Sequence, residues 1–163
     1  MKTIVIYNSK TGFTKQYAKW ISEALSCPCK PLKSVSAAEL DDFDKIIFGG
    51  WVMGNMIMGL DKLRKMATPA IVFAVGATPA FEEVIAQINE QNKMDGTPLF
   101  YLEGGFRYEE LGFAQKMLLK TLKKSIAKKE NRNCQEDFMA QVLTTSFDHT
   151  DCKQILPLVE KCK

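Results

Sequence analysis

A single histidine, His149, stands among 163 residues, in a polar stretch far along the chain. That removes the imidazole clusters from which most metal centres and nucleophile–base pairs are assembled, and no other side chain stands out as an acid, base or nucleophile. Cysteine is sparse and odd in number: Cys27, Cys29, Cys134, Cys152 and Cys162. A chain of this size can bury a core without covalent staples, so reduced cytosolic thiols are expected. Cys27-Pro28-Cys29 has no second pair to complete a zinc site, and no metal is expected. There is also no large excess of charge. A net +3, scattered along the chain, does not argue for nucleic acid as a partner.

Long apolar runs are missing too. None approaches the roughly 20 residues of a membrane span, and the N-terminus has Lys2 without the apolar stretch of a signal peptide. The expected location is the cytoplasm. Composition is otherwise ordinary, 46% hydrophobic and 25% charged, as in a globular protein of one-domain length. Residues 1–163 are read as one domain, with a core unit over 1–110 and a final helix plus helical extension over 111–163. No repeat or low-complexity linker divides it.

What is present is an alternation. Ile4 to Tyr7 is a continuous apolar run, as in a strand covered on both faces. From Gly12 the period changes to that of a helix, with Phe13, Tyr17, Trp20, Ile21, Ala24 and Leu25 on one side, as far as Ser26. Cys29 to Val35 is a weak, edge-like second strand with a proline and two lysines. Ser36 can cap a short turn over Ala37 to Leu40. Lys45 to Phe48 is a third strand, ending in Gly49-Gly50. Trp51 to Gly59, rich in methionine and glycine, has no clear period and reads as an apolar loop before a helix near Leu60 to Met66. Ala70 to Val75 is the fourth strand. Pro79 sits where a first helical turn would open, and Pro98 to Leu102 is the fifth strand. Helices are expected over Leu111–Lys129, Gln135–Val142 and Asp151–Cys162.

Strand and helix alternating in this way imply a parallel sheet with helices on both faces, a three-layer α/β/α sandwich. Placing the two proline-bearing strands at the edges fits the order 2-1-3-4-5. In such a sheet ligands bind outside the carboxyl ends of the strands, at the switch point beside strand 1. Three loops there carry glycines and hydroxyls: Ser9 to Thr14, Gly49 to Gly59, and Gly76 to Pro79. A fourth, Gly104 to Tyr108, lies near.

The loop after strand 1 opens a helix, and a helix N-terminus attracts anions through its free N–H groups and dipole. Ser9, Thr11 and Thr14 add hydroxyls, and Gly12 lets the backbone come close. The simpler alternative is that Ser9 or Thr11 only caps the helix. Other phosphate-binding folds lack their parts. There is no Gly-x-x-x-x-Gly-Lys-Ser/Thr, no Gly-x-Gly-x-x-Gly after strand 1, and no arginine six residues after a cysteine. The acidic residues that a receiver domain needs at the ends of strands 1 and 3 are Tyr7-Asn8 and Gly49-Gly50 here.

Ser9-Lys10-Thr11-Gly12-Phe13-Thr14 matches Ser/Thr-x-Ser/Thr-Gly-x-Thr, the phosphate loop of the flavodoxin family, which residues 1 to about 110 resemble. The resemblance implies a flavodoxin-like fold and bound FMN. Its phosphate would lie in Ser9, Lys10, Thr11, Gly12, Phe13 and Thr14. Its isoalloxazine would lie between Gly50, Trp51, Val52, Met53 and Gly54 on one side and Gly76, Ala77, Thr78 and Pro79 on the other. Trp51 could stack on the ring system or simply pack against the helix near Leu60. The second loop lacks an aromatic, for which Phe81, Phe106 or Tyr108 could substitute.

Two features depart from an electron-carrying flavodoxin, which is usually acidic: a pI near 8.5, and the long segment after strand 5. Leu102-Glu103-Gly104-Gly105-Phe106-Arg107-Tyr108, with Met117-Leu118-Leu119-Lys120 beyond, resembles the menaquinone-dependent protoporphyrinogen oxidase branch. That resemblance implies an FMN-dependent oxidoreductase with a quinone or redox protein as partner. The alternatives are a carrier without its own substrate, or a binding module without cofactor. Over 111–129 the stripe Ala114, Leu118, Leu122 and Ile126 lies among six lysines. Either this is the last helix on the sheet, with its lysines in solvent, or it is a basic face that meets an anionic membrane.

Overall fold

A computed structural model describes residues 1–163. Five parallel strands form the sheet: β1 (Thr3–Asn8), β2 (Cys29–Pro31), β3 (Lys45–Met53), β5 (Ile71–Gly76) and β6 (Leu99–Glu103). Their order is β2-β1-β3-β5-β6, and a short antiparallel strand, β4 (Met56–Ile57), joins β3. This is the expected 2-1-3-4-5 arrangement with one added arm, and the chain has the flavodoxin-like α/β fold. α1 (Phe13–Leu25) follows β1, α2 (Ala37–Leu40) precedes β3, α3 (Leu60–Arg64) precedes β5 and α4 (Glu82–Gln91) follows it.

Period-two alternation along the central strands sorts side chains onto two faces. Ile4, Ile6, Ile46, Phe48, Val72 and Ala74 pack on one side with Leu60, Leu63, Val84 and Ile88. Val5, Ile47, Ile71, Phe73 and Val75 pack on the other with Tyr17, Ala18 and Ile21 of α1. Gly49 is set by this packing: a Cβ there would lie 1.9 Å from the Phe73 ring, so only glycine admits that fully buried phenylalanine.

The helix that completes the α1 layer is α7 (Leu156–Cys162), entered through a 3-10 turn at Cys152–Ile155, with Ile155, Leu158 and Val159 in the core. The helix over 111–129 does not take that place. Observed as α5 (Phe113–Ala127), it packs on α6 (Cys134–Val142) and buries only Ile126. Its inward residues are Lys116, Leu119, Lys123 and Ile126, whereas Ala114, Leu118 and Leu122 of the expected stripe are exposed. The two inward lysines are satisfied locally. Lys116 Nζ donates to the Glu109 carbonyl at 3.3 Å and Lys123 Nζ to Thr144 Oγ1 at 3.1 Å. α5 and α6 are thus inserted between β6 and α7. Antiparallel β7 (Gly105–Phe106) and β8 (Phe147–Asp148) tie off the insertion at its base.

Other boundaries differ for local reasons. β2 ends at Pro31, where a 3-10 turn over Leu32–Ser34 replaces the expected strand to Val35. Trp51 to Gly59 is not a loop but a hairpin. Gly54 at φ 55° and Asn55 at φ 63° form a two-residue turn between paired Met53 and Met56, the geometry that matches strand twist. α4 starts at Glu82, so Pro79 lies in the preceding loop and not in the first helical turn. Ser36 does cap α2, accepting from Glu39 N–H at 3.3 Å.

Tyr17 joins the layers. Its hydroxyl donates to the Glu103 carbonyl at 2.6 Å and accepts from Asp151 N–H at 3.2 Å. Burial pushes its pKa up to about 12. Since the folded value lies above the unfolded one near 10, this stability is intact below pH 10 and is lost as pH rises toward 12. Tyr17→Phe should cost about 1–3 kcal/mol at neutral pH, by leaving both backbone groups unpaired. Denaturant titrations from pH 9 to 12 should show the gap between wild type and variant closing. A constant gap would mean Tyr17 ionises as freely folded as unfolded.

Candidate functional site

α1 begins at Gly12, whose φ of 97° is left-handed and whose missing Cβ faces open space. No side chain caps this helix. Ser9 Oγ accepts instead from Gly12 N–H, inside the loop, at 3.2 Å. Neither Ser9 nor Thr11 accepts from the N–H groups of Phe13 to Lys15. The first-turn N–H groups keep their capacity for an external anion.

Two cavities lie along the carboxyl edge of the sheet. The first, about 280 Å³, is bounded by Lys10, Thr11, Phe13 and Thr14 from the β1–α1 loop and by Trp51, Val52, Val75, Gly76 and Ala77 from the ends of β3 and β5. Gly105, Phe106 and Leu111 close it. Lys10 is its one charged residue. Lys10 Nζ stands 5.3 Å from the Trp51 ring centroid, and Trp51 belongs to neither core cluster. The indole is a cavity wall.

The second cavity, about 300 Å³, shares Val52, Gly76, Ala77 and Phe106 with the first. It extends past Thr78, Val84 and Tyr101 to Leu119, Phe138, Met139, Val142, Leu143 and Phe147 of the insertion and β8. Most of its lining is apolar. The hairpin tip contributes Gly54 and Asn55. Buried Asn92 holds that tip, accepting from Ile57 N–H at 2.9 Å and donating to the Asn55 carbonyl at 2.8 Å. Tyr101 Oη donates to the Thr78 carbonyl at 2.6 Å, and Glu103 accepts from Ala80 N–H at 2.9 Å, so the loop after β5 is tethered to β6. Burial raises the Tyr101 pKa, keeping its hydroxyl a donor.

The expected site residues divide between these spaces. Lys10, Thr11, Phe13, Thr14, Trp51, Val52, Gly76 and Ala77 meet around the first cavity, while Gly54 and Thr78 line only the second. Ser9 and Gly12 face a polar groove on the other side of the loop, with Lys10, Lys15 and Lys33. Gly50, Met53 and Pro79 line none of the three. Gly50 is buried where a Cβ would strike Ile57 and the Met58 carbonyl, and Met53 points to solvent at 55% exposure. Of the three substitute aromatics only Phe106 reaches the cavities; Phe81 joins the core and Tyr108 is buried. Gly105 belongs to the Gly104 to Tyr108 loop expected at the rim, whereas Val75 and Leu111 were not foreseen as walls.

The model of the flavodoxin domain matches residues 4–133. The chain belongs to the flavodoxin domain family. That membership implies FMN as its cofactor. Among solved structures, a flavodoxin from the domain Archaea is 20% identical with a TM-score of 0.44, covering 64% of this chain and 85% of its own. Oxidised Flavodoxin 2 from Bacillus cereus is 19% identical with a TM-score of 0.47, covering 63% and 84%. Family membership rests on the sequence match and not on these likenesses. Curated proteins offer no match. The residues present fit FMN on the donor set: an uncapped helix start, the hydroxyls of Thr11 and Thr14, a cationic Lys10, and a flat apolar slot behind them.

Thr11→Ala combined with Thr14→Ala should weaken FMN binding about tenfold or more, with the far-ultraviolet circular dichroism unchanged. An unaltered Kd in fluorescence titration would move the phosphate away from this loop.

Proposed function

We propose that this flavodoxin-family protein is an FMN-dependent oxidoreductase with an apolar substrate of its own, resembling the protoporphyrinogen oxidase branch and passing electrons to a quinone. FMN, when bound, supplies electron acceptance and release. In this reading Ser9 to Thr14 hold the phosphate, Trp51 and Phe106 flank the ring system, and the loop tethered by Tyr101 and Glu103 keeps the slot rigid. The observation that carries the reading is the second cavity. It is apolar, roofed by α5 and α6, and continuous in its walls with the first. A carrier needs only an exposed flavin edge for a partner protein. A neighbouring greasy pocket serves a flat hydrophobic molecule brought beside the cofactor.

Leu119 and Val142 line only the second cavity. Val142→Phe should lower kcat/KM for protoporphyrinogen, with menadione as acceptor, about tenfold, leaving the FMN Kd and the visible spectrum unchanged. Wild-type protein that binds FMN yet turns over neither compound, and reduces only protein acceptors, would establish the carrier instead. Protein that binds no flavin would be the cofactor-free module.

The outer face of α5 bears on where such a substrate is met. Phe113 is 81% exposed and Leu118 67%, with Met117 and Leu122 beside them and Lys120, Lys124, Lys128 and Lys129 at the margins. Apolar residues edged by lysines suit the surface of an anionic bilayer. No helix is long and apolar enough to cross one, so the contact would be peripheral. Wild type should co-sediment with phosphatidylglycerol vesicles but not with phosphatidylcholine. Phe113→Asp with Leu118→Asp should remain in the supernatant. Equal sedimentation of variant and wild type would remove α5 from the interface.

A further inference from the structure

The arm that forms one rim of the second cavity is too short to hold itself. β3 and β4 meet in two antiparallel pairs, Val52 with Ile57 and Met53 with Met56, and an isolated hairpin is marginal in water even when longer. Its methionines reach no core: Met53 is 55% exposed and Met56 37%. Yet Val52, Gly54 and Asn55 of this arm wall the cavity together with Val84 of α4. Asn92, which ends α4, ties the arm to that helix. Its side chain is buried, and its amide is fully spent. Oδ1 accepts from Ile57 N–H at 2.9 Å, and Nδ2 donates to the Asn55 carbonyl at 2.8 Å and to the Ile88 carbonyl at 2.7 Å. The Asn92 carbonyl accepts from Arg64 of α3 at 2.6 Å, which fixes the backbone behind the amide. A second, exposed strut runs from Asn55 Nδ2 to Gln87 Oε1 at 2.8 Å. Neither Asn92 nor Gln87 lines either cavity. A buried amide with its oxygen and both N–H groups engaged makes a stiff link between two elements.

On the reading of the second cavity as the substrate's, we infer that Asn92 is its positioning residue: it fixes the hairpin wall against a ligand that it does not itself touch. A wall held in place beforehand spares the ligand the cost of ordering it. Losing the link weakens ground-state and transition-state binding alike, which raises KM and leaves kcat. Trp51 precedes the arm and pairs with Val75 inside the parallel sheet, so the first cavity keeps its wall when the arm loosens. The effect is therefore confined to the substrate's side of the site.

Asn92→Ala is assayed beside wild type with protoporphyrinogen as substrate and menadione as acceptor, rates being expressed per bound FMN. KM should rise about tenfold, with kcat and the Kd for FMN within about twofold of wild type. Gln87→Ala, an exposed change that removes only the outer strut, should raise KM about two- to threefold. If Asn92 merely stabilises the fold, its loss lowers the amount of bound FMN and leaves KM at the wild-type value, and that result would overturn the proposal. Parallel rises in KM and in the FMN Kd would overturn it too. Should Asn92→Ala not fold, Gln87→Ala carries the same comparison, and an unchanged KM there counts against the proposal. Wild type that binds FMN yet turns over neither compound would overturn the reading of the cavity itself.

Discussion

Everything at the carboxyl edge of the sheet depends on one unmet demand: the amino end of α1 has no side-chain cap. A helix leaves four N–H groups without internal partners, and this chain places Gly12, which has nothing to offer them, at the capping position. Ser9 bonds within its loop. The first-turn N–H groups are thus left without a side-chain partner. Gly12 at a left-handed φ and Lys10 over Trp51 suit the phosphate of the FMN that family membership implies. A fold selected only for stability would put serine, threonine or aspartate at that cap.

The second constraint is the two-faced sheet. Burial of β1, β3 and β5 on both sides leaves no room for chemistry in the core, so all of it moves to the loops at one edge. The chain enlarges that edge twice. β3 runs on past its last parallel pair, Trp51 with Val75, into a hairpin that carries Val52, and residues 104–151 are inserted before the last helix. α7 then closes the α1 layer that a continuous β6–helix connection would have closed. The insertion is free of any duty to the core, which explains how its helix can leave Phe113 and Leu118 in water.

The core was legible because periodicity reports burial directly. Ile4 to Tyr7 read as a doubly covered strand, Ala70 to Val75 as a strand, and the loop after strand 1 as a helix start. What could not be read had two physical sources. Trp51 to Gly59 hid a hairpin because β3 continues past its buried run, and its turn residues, Gly54-Asn55, are separated by only three residues from the glycines at each end. α5 deceived for a different reason. Its apolar stripe at helical spacing is real, but it faces outward, while Lys116 and Lys123 face inward with carbonyl and hydroxyl partners. Amphipathicity says that a helix has two faces. It does not say which one meets protein.

That reversal also separates the readings of function. If α5 were the closing helix of the sandwich, its lysines would be in solvent, its leucines would be in the core, and the carboxyl edge would be as open as a carrier requires. With α7 in that role, α5 and α6 instead wall a second apolar space beside the first, and the β7–β8 base carries Arg107 to the Thr11 carbonyl. One inserted segment then touches the loop that opens α1, covers the second apolar space, and presents an apolar face edged with lysines outward. A carrier has use for none of the three together. An enzyme that draws a hydrophobic substrate from a surface has use for all of them.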